Sequence, residues 1–153
     1  MKIDVTRRFG FLVNELGRLY SQQFDRRSRD ELGLTQAQVR LLAMLAAHGD
    51  EPVSQAALAH RVGVTPMAVT TLCDRMAAAG WIERRPHPGD RRINHLHLLP
   101  KAHKALDRAM AIGDELTGEV LRELPAAERR QLIAALGSAR ERLLAMSREE
   151  VAR

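Results

Sequence analysis

The sequence predicts a mainly helical chain in which one two-stranded ribbon separates four helices from two more. Three observations carry this. Hydrophobic residues fill 45% of the 153 positions but aromatics only 3%. The core is therefore built of Leu, Ala, Val and Met, in an Ala-, Leu- and Arg-rich chain that favours helix. Apolar residues recur at three- and four-residue spacing along most of the length. The exception is residues 81–99, where a Pro/Gly turn sits between a short segment and an alternating one, the pattern of two paired strands.

The first helix is expected over residues 5–29, on the row Phe9, Leu12, Leu16, Leu19 and Gln23/Phe24. Its basic end, Arg26-Arg27-Ser28-Arg29, suits a helix C-terminus, and Gly33 follows as a break. Thr35-Gln36-Ala37-Gln38 fits a capping box that opens a second helix running to His48, with Val39, Leu42, Ala43 and Ala46 inward and Gly49 as the stop. Ser54 is an N-cap candidate for a short third helix over 55–61 carrying Ala57, Leu58 and Val62. Val62-Gly63-Val64 is a tight turn. Thr65-Pro66 then pairs a hydroxyl N-cap with proline at the first helical position, opening a fourth helix to about Ala79 that Gly80 ends. Trp81–Arg85 and Ile93–Leu99 are the strands, and Pro86-His87-Pro88-Gly89-Asp90 is the turn between them. After Pro100 the helical row resumes with Leu106, Met110, Gly113, Leu116/Thr117, Val120 and Leu124. Pro125 starts a last helix carrying Leu132, Leu136, Ala139/Arg140 and Leu143.

Several function classes drop out. The longest apolar run, Leu41 to Ala47, is far short of the roughly 18 residues that cross a bilayer. The start, MKIDVTRRFG, has no apolar signal segment, and the single cysteine rules out a disulfide framework within the chain. A cytoplasmic protein is expected. No phosphate loop, nucleophile elbow or His/Glu metal motif is present, so an enzyme is not expected, nor is a cofactor or a bound metal.

The charge points to a polyanion. Net charge is +5. Arg84, Arg85, Arg91, Arg92, Lys101 and Lys104 stand against Asp90 alone between residues 84 and 104, so this one stretch carries the whole excess. Two helices joined by a glycine turn, followed by a cationic hairpin, make a winged helix-turn-helix. Its second helix is narrow enough for the DNA major groove. Val69, Leu72, Cys73 and Met76 form an apolar stripe on that helix, which leaves Thr65, Pro66, Met67, Thr70, Thr71, Asp74 and Arg75 outward. Threonine hydroxyls meet base edges or phosphates, and Met67 and threonine methyls pack on thymine methyls. Arg75 serves either a phosphate or an internal carboxylate. In the hairpin, Asp90 orients one of Arg91 and Arg92 while the other reaches phosphates or a narrow minor groove.

Residues 54–98, SQAALAHRVGVTPMAVTTLCDRMAAAGWIERRPHPGDRRINHLHL, resemble the core of the MarR/SlyA family of bacterial transcriptional regulators. The resemblance rests on LA-x-x-V-G-V before the recognition helix, L-x-D-R-M within it, G-W-I-E-R-R entering the wing and D-R-R at its tip. It implies one domain of mainly α class: a winged helix-turn-helix core over 35–99, a two-stranded wing, and flanking N- and C-terminal dimerisation helices over 5–29 and 101–147. Asp90 and Arg92 match the family's wing Asp-x-Arg pair. The implied partners are double-stranded DNA with a near-palindromic operator, a second copy of the chain, and a small phenolic or lipophilic effector, with the protein acting as a ligand-responsive repressor. Arg18 and Tyr20 on the first helix are candidate effector-lining residues. Two departures stand out: Leu99-Pro100-Lys101-Ala102 lacks the hydroxyl that caps the next helix in many relatives, and Thr71 occupies a position where arginine is common. The alternatives are a winged-helix module for protein contacts without DNA, a metal sensor using His87, His95, His97 and His103, and a redox sensor using Cys73.

Overall fold

The structure is a computed structural model that describes residues 4–49, 53, 55–62, 64–86 and 94–151. Its order is α1 (Phe9–Leu32), α2 (Gln36–His48), α3 (Gln55–Val62), α4 (Pro66–Ala78), β1 (Ile82–Pro86), β2 (Asn94–Leu98), α5 (Pro100–Val120) and α6 (Ala126–Val151). The chain forms two compact units, Met1–Asp114 and Glu115–Arg153.

In the first unit, α1 starts and ends later than its apolar row predicts. Residues 5–8 are held in a turn: the Thr6 amide and hydroxyl donate to Asp4 Oδ1 at 3.0 and 2.5 Å, and Arg8 N–H donates to Val5 O at 3.0 Å. Nothing breaks the helix between Arg29 and Gly33, so it continues through Leu32. Gly33 ends it at φ +67°, a left-handed conformation that glycine adopts without strain. Its N–H bonds Arg29 O, while the buried Ser28 hydroxyl donates to Leu34 O at 2.8 Å.

The start of α2 is capped as its sequence requires. Thr35 Oγ1 accepts from Gln38 N–H at 3.2 Å, and Gln38 Oε1 accepts from Thr35 N–H at 2.7 Å. Asp25 of α1 adds a second cap, accepting from Gln36 N–H at 2.8 Å, where a carboxylate also meets the positive end of the helix dipole. The inward face is rotated from the expected one. Val39 and Leu42 are buried as predicted, but Leu41 and Leu45 are buried too, while Ala43 is only half-buried and Ala46 is exposed. The larger leucines remove more apolar area from water than the alanines could. Buried Leu34, Leu58, Val69, Met76, Ile82 and Ile112 extend this core.

The ribbon is a simple antiparallel pair in the register Ile82↔Leu98 through Pro86↔Asn94. Ile82 is buried, β1 packs on α4 and β2 on α2. On α5 the buried residues are Ala102, Ala105, Leu106, Ala109, Ile112 and Leu116. The predicted row placed Met110 inward; it is 53% exposed, and the buried row runs instead through Ala102, Ala105, Ala109 and Ile112, one position over. Gly113 meets Tyr20 and Phe24 at 3.8 Å from where a Cβ would stand.

The second unit holds the end of α5 and α6. The expected helix through Leu124 stops at Val120, and residues 121–124 form a turn closed by Leu124 N–H to Leu121 O at 3.0 Å. Pro125 disfavours helical geometry in the residue before it. The Arg129 guanidinium donates to Leu124 O and Arg122 O at 2.8 and 3.1 Å, satisfying carbonyls that the turn leaves open. Leu132, Ile133, Leu136, Leu143, Leu144 and Met146 of α6 are all exposed.

Candidate nucleic-acid interface

Helix α4 is built to present one side. Thr65 Oγ1 accepts from Ala68 N–H at 3.2 Å and Pro66 takes the first helical position, so the start of the helix is fixed by its own sequence. Val69, Cys73 and Met76 are fully buried and Leu72 is half-buried. Opposite them Thr65, Pro66, Met67, Thr71, Asp74 and Arg75 are exposed, Met67 by 81%. Thr65, Met67, Ala68, Thr71, Leu72 and Arg75 line an open groove of about 410 Å³ whose far wall is Gln38 of α2. An exposed methionine and two threonines beside an arginine offer both methyl contacts and hydrogen bonds to base edges.

Thr70 departs from expectation. It is half-buried, and its hydroxyl donates to Pro66 O at 3.2 Å, one turn back, rather than standing free on the outer face. Threonine in a helix readily bonds the carbonyl four residues earlier. Arg75, for which both a phosphate and an internal carboxylate were open, has no ion-pair partner among the described residues. Its neighbour Asp74 instead accepts from Arg84 Nη2 at 2.6 Å.

The basic patch is less free than its charge count. Arg84 is held by Asp74, and Arg85 is ion-paired with Glu83. Glu83 directly precedes the cationic stretch in sequence, and Asp74 stands ten positions before Arg84. Lys101 bonds the Ala79 carbonyl and lies over the Trp81 ring, 4.3 Å from its centroid. Arg91 and Arg92, with Asp90 expected to orient one of them, lie outside the described residues, as do His87, Ser54 and the Gly63 turn. The last pair of the described register is Pro86↔Asn94.

Arg18 and Tyr20 are not brought together. Arg18 Nη1 donates to Gln22 on its own helix at 3.4 Å, whereas the half-buried Tyr20 hydroxyl donates to Gly113 O of α5 at 3.1 Å. Tyr20 therefore joins α1 to α5.

Of the residues behind the metal and redox alternatives, His95, His97, His103 and Cys73 are among those described and His87 is not. His95 and His97 were read as a polar outer face; both are half-buried, with ring centroids 6.2 Å apart. Among the described residues no three His, Cys, Asp or Glu side chains group as metal ligands. Burial pushes the Cys73 thiol above its ordinary range, against a smaller opposing effect of Arg84, and so keeps the reactive thiolate scarce.

Sequence reasoning read Gln38 as a capping residue but missed its place on the groove, and it missed the Asp74–Arg84 pair and the Lys101–Trp81 contact. Lys101 did leave a sign: a cation at the start of a helix opposes the dipole, so it needs a partner elsewhere.

A family profile described as the MarR family matches residues 32–93. Over 111 residues, 72% of this chain and 66% of the other, the sequence is 30% identical to YdgJ, an uncharacterised helix-turn-helix-type transcriptional regulator of Bacillus subtilis. It is 34% identical over 84 residues to MdtR, a helix-turn-helix-type transcriptional repressor of the same organism, covering 55% of this chain and 53% of that one. The matched segments thus span just under two thirds and about half of those relatives. A Mycobacterium tuberculosis MarR family protein in complex with salicylic acid superposes with a TM-score of 0.72 at 25% identity, covering 86% of this chain and 95% of the other.

Proposed function

Because the chain belongs to the MarR family, we propose that it is a transcriptional regulator that binds double-stranded DNA as a homodimer on a near-palindromic operator, and that it represses until a small phenolic or lipophilic ligand binds. The observation that carries this reading is the outer side of α4. Thr65, Met67, Thr71 and Arg75 stand exposed along one open groove on a helix fixed at its N-cap, with the ribbon beside it. Arg91 and Arg92 extend the reading to phosphates or the minor groove, with Asp90 orienting one of them.

Homodimerisation is supported by apolar side chains left in water. Phe9, Leu12, Leu16 and Leu19 of α1 are exposed, Phe9 by 63%, and so are Leu132, Leu136 and Leu143 of α6. Covering such rows with a second copy buries them. It also spaces two recognition helices about 34 Å apart, one turn of DNA. In this organisation α1, α5 and α6 are the dimerisation helices flanking a winged helix-turn-helix core. The repressor assignment is supported by the name of MdtR, and the ligand class by the salicylic acid bound to the mycobacterial relative. The protein is a binding protein rather than an enzyme, and it acts in the cytoplasm, where the DNA is. Among the described residues no helix is long and apolar enough to cross a membrane.

Selection of duplexes from a random-sequence pool tests the reading. The expected result is an enriched near-palindrome with half-sites one helical turn apart. A pool that stays random after selection contradicts DNA recognition and favours a module for protein contacts.

A further inference from the structure

We infer that Lys101 is a positioning residue for DNA binding: its ammonium latches the C-terminus of the recognition helix and the root of the wing to the start of α5, and it does not contact phosphate. This rests on the DNA-binding reading above. Lys101 is the second residue of α5, at the positive end of that helix dipole and with no acidic residue in the first turn to offset it. A lysine there opposes the dipole. The side chain turns instead to the negative end of α4, where its Nζ donates to the Ala79 carbonyl. The neighbouring N–H groups of that turn are directed at other carbonyls: Ala79 N–H to Arg75 O, Gly80 N–H to Ala77 O, and Trp81 N–H to Met76 O.

The same ammonium sits 4.3 Å from the centroid of Trp81, the residue just before β1. Gly80 turns the chain here at φ +69°, a left-handed conformation that glycine adopts without strain, and Nζ packs at ordinary contact distance from this turn. Leu99 N–H donates to Trp81 O at 3.0 Å, so the end of the second strand is tied to the same point. One cation therefore meets α4, the wing root and α5 at their junction. The two elements that read DNA then hold a fixed mutual angle before binding, which lowers the ordering cost of association.

A phosphate contact and a positioning role differ in salt dependence. Each phosphate that a cation neutralises contributes about 0.9 to the slope of log affinity against log salt. An internally bonded cation contributes none. The test uses the full chain as wild type, Lys101→Met and Lys101→Arg, titrated across a salt series against a fluorescein-labelled duplex recovered from the random-sequence pool. Trp81, the only tryptophan, reports the contact directly by its emission.

The expected result is that Lys101→Met weakens binding by roughly tenfold with the salt slope unchanged and the Trp81 emission altered, while Lys101→Arg keeps the affinity. A slope lower by about 0.9 in Lys101→Met assigns a phosphate contact and overturns the inference. So does wild-type affinity in Lys101→Met, or an Lys101→Arg protein that binds as weakly as Lys101→Met. If Lys101→Met does not fold at the assay temperature, Trp81→Leu, which keeps the cation and removes the ring, carries the same expectation of weaker binding at constant slope. A wild type that enriches no duplex overturns the regulator reading and this inference together. A wild type that binds while Lys101→Met binds equally overturns this inference alone.

Discussion

The Arg84 guanidinium donates to Asp74 Oδ1 at 2.6 Å, tying the first strand of the ribbon to α4. Both side chains are partly solvated, so the pair's Coulomb attraction is screened. A screened pair of this kind adds little to fold stability. Asp74→Ala is expected to lower unfolding stability by less than about 1 kcal/mol in a urea titration. A loss above about 2 kcal/mol would show that the pair carries packing as well as charge.

Thr65 is the cap on which the start of α4 depends, through its bond from Ala68 N–H. Thr65→Ala is expected to cost about 1 kcal/mol of stability, and Thr65→Gly only a few tenths, both read by urea unfolding. Equal stability of Thr65→Ala and wild type would mean that Pro66 alone fixes the helix start.

Asp25 gives the fold a defined acid sensitivity. The backbone N–H of Gln36 is the main cause that lowers its carboxyl below the usual 3.8; burial opposes this, and the hydrogen bond and charge of Arg29 add to the lowering. In the unfolded chain the group takes up its proton near 3.8. Its contribution is therefore fully present above that pH and is lost as pH falls through the lower folded value. The stability difference between wild type and Asp25→Asn should stay constant from neutral pH down to about 4 and shrink below it. A difference that persists undiminished into strong acid would contradict this cap.

Met67 and Leu42 separate function from stability. Met67 is 81% exposed, so Met67→Ala should leave stability within about 0.5 kcal/mol while changing the sequence recovered by selection. Leu42 is fully buried, and Leu42→Ala should cost about 2–5 kcal/mol. An unchanged selected sequence with Met67→Ala would remove Met67 from the reading face.

What the sequence made legible was mostly local. Thr35, Gly33, Thr65 and Pro66 act through backbone groups within a few residues, so their roles follow from residue type and spacing. The ribbon was readable for the same reason. Residues whose partners lie far away in sequence were not. A sequence separation of 22 hides the contact of Ala79 with Lys101, and one of ten hides that of Asp74 with Arg84. The faces of α2 and α5 were misjudged at Ala46 and Met110, because in each helix apolar residues stand on more than one side and spacing alone does not say which row packs. Thr70 looked free only because its nearest acceptor is its own helix.

The most direct measurement is the salt dependence of duplex affinity for wild type and for Arg91→Ala/Arg92→Ala. The account predicts that wild-type affinity falls steeply with salt and that the double variant loses affinity for every sequence, with a slope shallower by roughly 1 to 2. A wild type whose affinity ignores salt, or a double variant with the wild-type slope, would contradict the claim that the outer side of α4 and the cationic wing grip one duplex together.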